Sequence, residues 1–161
     1  MTISPRLKQF RKKLEMKPYL DELTALLGRP VSADELGSLE EAEQLRELSQ
    51  KFRAPEPKSF DILFSARCSD RFRRFVDRLH SGNPSSVYIW TPKTIICGAL
   101  RVPSIASIRF DFEFDINADG ILAFSTSDLV DSLLLDFSLS LAGEEILTVE
   151  TQGPNWQGIV Y

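Results

Sequence analysis

From Pro5 to Met16 the apolar residues Leu7, Phe10 and Leu14 recur at helical spacing, with Ser4 placed as N-cap and Pro5 at the first helical position. A second helix is predicted from Pro18 to Leu27, with Leu20, Leu23, Leu26 and Leu27 on one stripe and Gly28 and Pro30 closing it. Ser32 with Glu35, and Ser38 with Glu41, have capping-box spacing. The second box opens a helix to about Phe52 that turns Leu39, Ala42, Leu45, Leu48 and Phe52 inward. Residues 1–53 therefore read as helical.

Two prolines in the run from Ala54 to Ser59 remove backbone donors and favour extended geometry, so residues 54–59 read as a connector. Phe60 to Ala66 is read as a short strand. Ser69 then caps a helix from Asp70 to His80 whose apolar face is Phe72, Phe75, Val76 and Leu79, ended by Gly82, Asn83 and Pro84. Its other face carries Arg71, Arg73, Arg74 and Arg78, a pattern that reads as a solvated surface rather than a phosphate-binding stripe.

After Ser85 the period changes to two, and six strands are predicted: Val87 to Trp90, Thr94 to Val102, Ser107 to Ile116, Ile121 to Thr126, Leu133 to Leu141 and Ile146 to Thr151. The clearest alternation runs from Arg109 to Asp115. It sends Phe110, Phe112 and Phe114 to one side and Asp111, Glu113 and Asp115 to the other. Leu133, Leu135, Phe137, Leu139 and Leu141 alternate with Asp136, Ser138 and Ser140 in the same way. Helices followed by strands give an α+β class: N-terminal helices packed with a mainly antiparallel sheet of about five to six strands, connected as a meander. Residues 1–161 read as one domain, with residues 60–161 contributing a helix and the sheet with its acidic face.

Composition narrows the chemistry. With 43% apolar residues, 26% charged residues and eleven phenylalanines, the chain has enough apolar surface for a core without disulfide or metal. No apolar run is long enough to span a bilayer, and no apolar stretch follows the basic N-terminus as a secretory signal requires, so the expected location is the cytoplasm and no membrane partner is expected. Cys68 and Cys97 match no zinc or redox spacing and read as buried thiols. One histidine, His80, leaves no multi-histidine metal site.

The net charge of −4 divides unevenly. Residues 1–81 carry 16 Lys or Arg against 13 Asp or Glu, whereas residues 82–161 carry 3 against 10. The acidic half repels nucleic acid and attracts cationic partners. Asp115 to Gly120 resembles the opening of a calcium loop, but Thr126 stands where the bidentate glutamate is needed. Asp119-Gly120 is better read as a hairpin turn. Neither a nucleophile elbow nor a phosphate-cradling glycine loop is present, so no catalytic, cofactor or metal residue is assigned.

The stretch from Tyr88 to Trp156, with Tyr88-Ile89-Trp90-Thr91-Pro92, the Phe110 to Gly120 segment and Leu133-Leu134-Leu135-Asp136-Phe137, resembles the immunity proteins of bacterial contact-dependent growth inhibition and polymorphic toxin systems. The resemblance implies a non-enzymatic protein that neutralises a cognate toxin domain in the cytoplasm. The partner suited to this charge distribution is a basic nuclease. The residues expected to meet it are Asp111, Glu113, Asp115, Asp119, Asp128 and Asp131, with Trp90 and Trp156 as anchors. Two other classes fit the same residues: an adaptor that docks through its N-terminal helices, and a small hydrolase built on paired carboxylates.

Overall fold

The computed structural model describes residues 2–51 and 56–161. Four helices and six strands form an α+β fold, as the change of period predicts. Helix α1 spans Pro5–Leu27, α2 Leu39–Lys51, α3 Asp70–Gly82 and α4 Thr94–Cys97. The strands are β1 (Lys58–Leu63), β2 (Val87–Trp90), β3 (Leu100–Val102), β4 (Ile121–Thr126), β5 (Ser132–Leu139) and β6 (Glu145–Gln152). They make one antiparallel sheet in the order β1-β6-β5-β4-β2-β3. Only β4, β5 and β6 form the expected meander, because β1 returns to the free side of β6 and β2 lies between β3 and β4.

Four elements depart from the sequence reading. The two N-terminal helices are one, α1, with Pro18 inside it. Proline costs a helix one hydrogen bond, and here it sits on the exposed side, where its ring meets water. The predicted strand from Thr94 to Val102 is instead α4 followed by β3. The Thr94 hydroxyl accepts the Thr91 N–H at 2.9 Å, and Gly98 ends the helix at φ 107°, with the Gly37 carbonyl where any side chain would stand. Phe60 to Ala66 divides between β1 and a 3-10 turn, Phe64–Cys68. Of the predicted connector, Lys58 and Ser59 belong to β1, while Ala54 and Pro55 lie outside the described residues, as does Phe52, which the helical spacing predicts to face inward.

A fourth departure matters most for function. Residues 108–113 are extended and alternate buried with exposed, yet they belong to no strand. Their alternation comes from packing: Phe110 rests on Phe72 and Phe124, and Phe112 on Phe64 and Phe137, at ring separations of 5.3 to 5.9 Å. The backbone is held by the Arg109 N–H donating to the Leu26 carbonyl at 2.7 Å and by Arg67 Nε donating to the Phe112 carbonyl at 3.0 Å. This phenylalanine ridge, the inner face of α3 and the C-terminal half of α1 cover one face of the sheet and enclose the main core.

Candidate functional site

Register places side chains on the sheet's other face. Ile89, Phe124, Leu133, Leu135, Leu147 and Val149 are buried in the main core, so their neighbours along each strand point the opposite way. At the β2–β3 end that opposite face is closed by Ala42 of α2, which packs with Tyr88, Ala99, Leu45 and Trp90. From β4 to β1 it is open. One cross-strand row reads Asp61, Thr148, Asp136, Ile121; the next reads Ser59, Glu150, Leu134, Ala123, Trp90; Leu63, Ile146 and Ser138 form a third. All twelve are exposed or half-buried, and none is a lysine or arginine.

This open face combines three carboxylates, Asp61, Asp136 and Glu150, with aliphatic side chains that include Ile121 and Leu63, 38% and 52% exposed. Asp61 accepts a hydrogen bond from the Thr148 hydroxyl at 2.6 Å, which fixes the carboxylate at the surface. Trp90 closes one end of the face, its indole N–H donating to the Ser125 hydroxyl at 2.8 Å. Asp61, Asp136 and Glu150 were not among the residues singled out from sequence. Period-two patterning places Asp136 opposite the core, but it does not reveal that β1 and β6 add Asp61 and Glu150 beside it.

The eight residues expected at the interface do not form one surface. Asp111, Glu113, Asp115 and Asp119 are exposed, but they follow the ridge on the sheet's covered side, and Asp111 is paired with Arg109 at 2.8 Å. Trp90 belongs to the opposite face. Asp128 is held in the β4–β5 turn by the Thr126 hydroxyl at 2.6 Å and the Val130 N–H at 3.1 Å. Partial burial opposes its ionisation, but these bonds and those from Asn83 outweigh it and hold its carboxyl below the usual range.

Asp131 and Trp156 are corrections: their side chains belong to the interior, 1% and 0% exposed. Asp131 Oδ1 accepts the backbone N–H groups of Asn155 and Trp156 at 2.9 and 3.2 Å, and Oδ2 accepts Asn83 Nδ2 and Asn155 Nδ2 at 2.7 and 2.8 Å. The indole N–H of Trp156 donates to the Leu79 carbonyl at 2.8 Å. Both side chains bind the C-terminal turn to the core. The burial expected of Cys68 is also overturned, since Cys68 is exposed and only Cys97 is buried.

The Asp115 to Gly120 loop satisfies itself. Asn117 Oδ1 accepts the N–H groups of Asp119 and Gly120 at 3.1 and 2.8 Å, and Asn117 Nδ2 donates to the Ile121 carbonyl at 3.0 Å. It is an Asx turn leading into β4 rather than a hairpin between two ladder strands, because the segment before it is not in the sheet. Among the described residues no group of three or more His, Cys, Asp or Glu side chains is placed to hold a metal ion.

A groove of about 520 Å³ lies between α3 and residues 106–111. Its cations are committed: Arg73 pairs with Asp70 at 2.6 Å, Arg109 with Asp111, and Arg67 lies 3.8 Å over the Phe64 ring. No protein-family model matches the chain, and neither does any curated protein or solved structure.

Proposed function

We propose that this chain is an immunity protein that binds and neutralises a basic toxin domain, without chemistry of its own, through the open sheet face. The observation that carries this reading is the composition of that face: three carboxylates among aliphatic side chains, Trp90 at one end, and no cation on twelve contiguous positions. A nuclease collects lysine and arginine to hold phosphate, so a surface of this kind competes for the same cations and speeds the encounter. The aliphatic positions and the half-buried tryptophan supply the desolvated contacts that slow release. Such inhibition takes place in the cytoplasm.

The test is site-specific photo-crosslinking in the native cell, with the crosslinker placed at Ser138 on the open face or at Glu113 on the ridge. The reading requires Ser138 to capture a basic protein domain whose purified activity falls stoichiometrically as this chain is added. Capture from Glu113 alone moves the interface to the ridge. A captured protein whose activity is unchanged removes the antidote role and leaves the adaptor, whose docking elements are the N-terminal helices.

A further inference from the structure

Helix α1 has two apolar faces that point in opposite directions. Its C-terminal half buries Tyr19, Leu23 and Leu26 in the main core. Its N-terminal half carries Leu7, Phe10 and Leu14, which are 48%, 58% and 61% exposed. With a residue every 100° or so, that stripe lies about half a turn round the helix from the buried one. It therefore faces away from the body of the protein.

Cations surround the outward stripe. Residues 5–17 contain Arg6, Lys8, Arg11, Lys12, Lys13 and Lys17 against the single acid Glu15. Arg6, Lys13 and Lys17 fall along one border of the stripe and Arg11 toward the other, by helical spacing. Lys8 and Lys17 make ion pairs, with Glu43 at 3.8 Å and Asp21 at 3.1 Å; Arg6, Arg11, Lys12 and Lys13 make none among the described residues.

We propose that the N-terminal half of α1 is a peripheral membrane contact that lays Leu7, Phe10 and Leu14 into the headgroup boundary of an anionic bilayer. The charge complementarity favours this occupant. A second copy would bring a like-charged helix against this one, and a partner helix would find only about one heptad of stripe, from Leu7 to Leu14, shorter than the three or four that sustain a coiled coil. A bilayer surface needs neither a groove nor a long seam, only a few apolar side chains projecting beside a cluster of cations. No helix among the described residues is long and apolar enough to cross a membrane. The expectation of no membrane partner rested on that missing span, which an interfacial helix does not require. The remainder of the chain is acidic and is repelled by the same surface, so contact is confined to the helix and is reversible.

The experiment is co-sedimentation of the full chain with vesicles of phosphatidylcholine alone, or of phosphatidylcholine with phosphatidylglycerol, at low and physiological ionic strength. Binding to the anionic vesicles only, weakened by salt, is the expected result. F10S/L14S, which alters only exposed positions, should lower the partition coefficient at least about tenfold while leaving the thermal unfolding midpoint unchanged. F10W should shift its emission to the blue on anionic vesicles. No sedimentation at low salt overturns the proposal, as does binding that F10S/L14S leaves intact. A concentration-dependent dimer that F10S/L14S abolishes, without vesicle binding, assigns the stripe to a second copy instead.

Discussion

Lys93, just before α4, places its ammonium 3.4 Å from the carboxylate of Glu22 on α1, a glutamate whose side chain is 2% exposed. The other carboxylate oxygen, Oε1, has no hydrogen-bond partner. Burial raises the Glu22 pKa, and the attraction of Lys93, with the Asn117 amide nearby, only partly offsets it. The folded state therefore holds this proton more tightly than the unfolded chain. Stability from Glu22 is fully present below the ordinary carboxyl pKa and is lost as pH rises through the folded-state value. Glu22→Gln should raise the melting temperature by a few degrees at pH 8, with the gain vanishing as the pH falls toward 4. Lys93→Ala should do the reverse, costing about 2 kcal/mol at pH 8 because it leaves a buried carboxylate unpaired. Thermal unfolding across a pH series measures both, and a Glu22→Gln gain independent of pH would dismiss the account.

Asp131 makes a second electrostatic prediction, opposite in kind. All four of its hydrogen bonds come from donors, so Asp131→Asn presents an amide N–H₂ to at least one N–H group with nothing to accept it. Destabilisation of about 2 kcal/mol is expected in chemical denaturation. Gly153 permits the arrangement: it lies at φ 102° against the Asp131 side chain, where a Cβ would collide.

Much of this fold is legible because burial repeats with the period of the backbone. The faces of α3, β4 and β6, and of β5 as far as Phe137, follow their apolar spacing, and Ser69 caps α3 as its sequence indicates, whereas Leu139 and Leu141, at the end of the same alternation, are exposed. The misreadings arise where one pattern has two causes. Alternation along Arg109 to Asp115 requires extended backbone but not a ladder, and no local signal tells that Arg67 and the Leu26 carbonyl take the place of neighbouring strands. The functional reading suffers in the same way. Asp131 looks like one more acid in an acidic half until Asn83 and Asn155, 48 and 24 residues away, converge on it. The open face needs strand order, which sequence periodicity does not contain.

Pro18 offers a direct check on why α1 is continuous. Tertiary packing of Tyr19, Leu23 and Leu26 on one side of the proline outweighs its local cost. Because Pro18 is exposed, Pro18→Ala restores a backbone donor without creating a cavity. Allowing for the extra freedom of the unfolded chain, the substitution should stabilise by about 1 to 2 kcal/mol. Equilibrium urea unfolding would measure it, and a loss of stability would mean that the proline is needed to seat the helix.

The two thiols should differ by environment. Burial, with the nearby Glu15 charge adding to it, pushes the Cys97 thiol up to about 11, while Cys68 stands at the surface. Titration of the native chain with a disulfide reagent at pH 8 should release one equivalent rapidly, and Cys68→Ser should abolish that phase. The second equivalent should appear only with denaturant. Two rapid equivalents would show that α4 opens readily.

The two acidic surfaces can be separated because they lie on opposite sides of the sheet and share no residue. Asp136→Lys with Glu150→Lys places two cations on the open face; Asp136 is exposed and Glu150 half-buried, and neither has a charged partner to lose among the described residues. Asp111→Lys, Glu113→Lys and Asp115→Lys do the same on the ridge, at the cost of the Arg109 to Asp111 pair, a surface bridge that contributes at most about 1 kcal/mol. If the open face binds a basic partner, the first variant should slow association at least tenfold and reduce its salt dependence, whereas the second should change it little. Stopped-flow association with the captured partner at two ionic strengths reads this difference. The opposite ranking would assign recognition to the ridge, and equal effects would mean that the field of the whole acidic half steers the encounter rather than either surface.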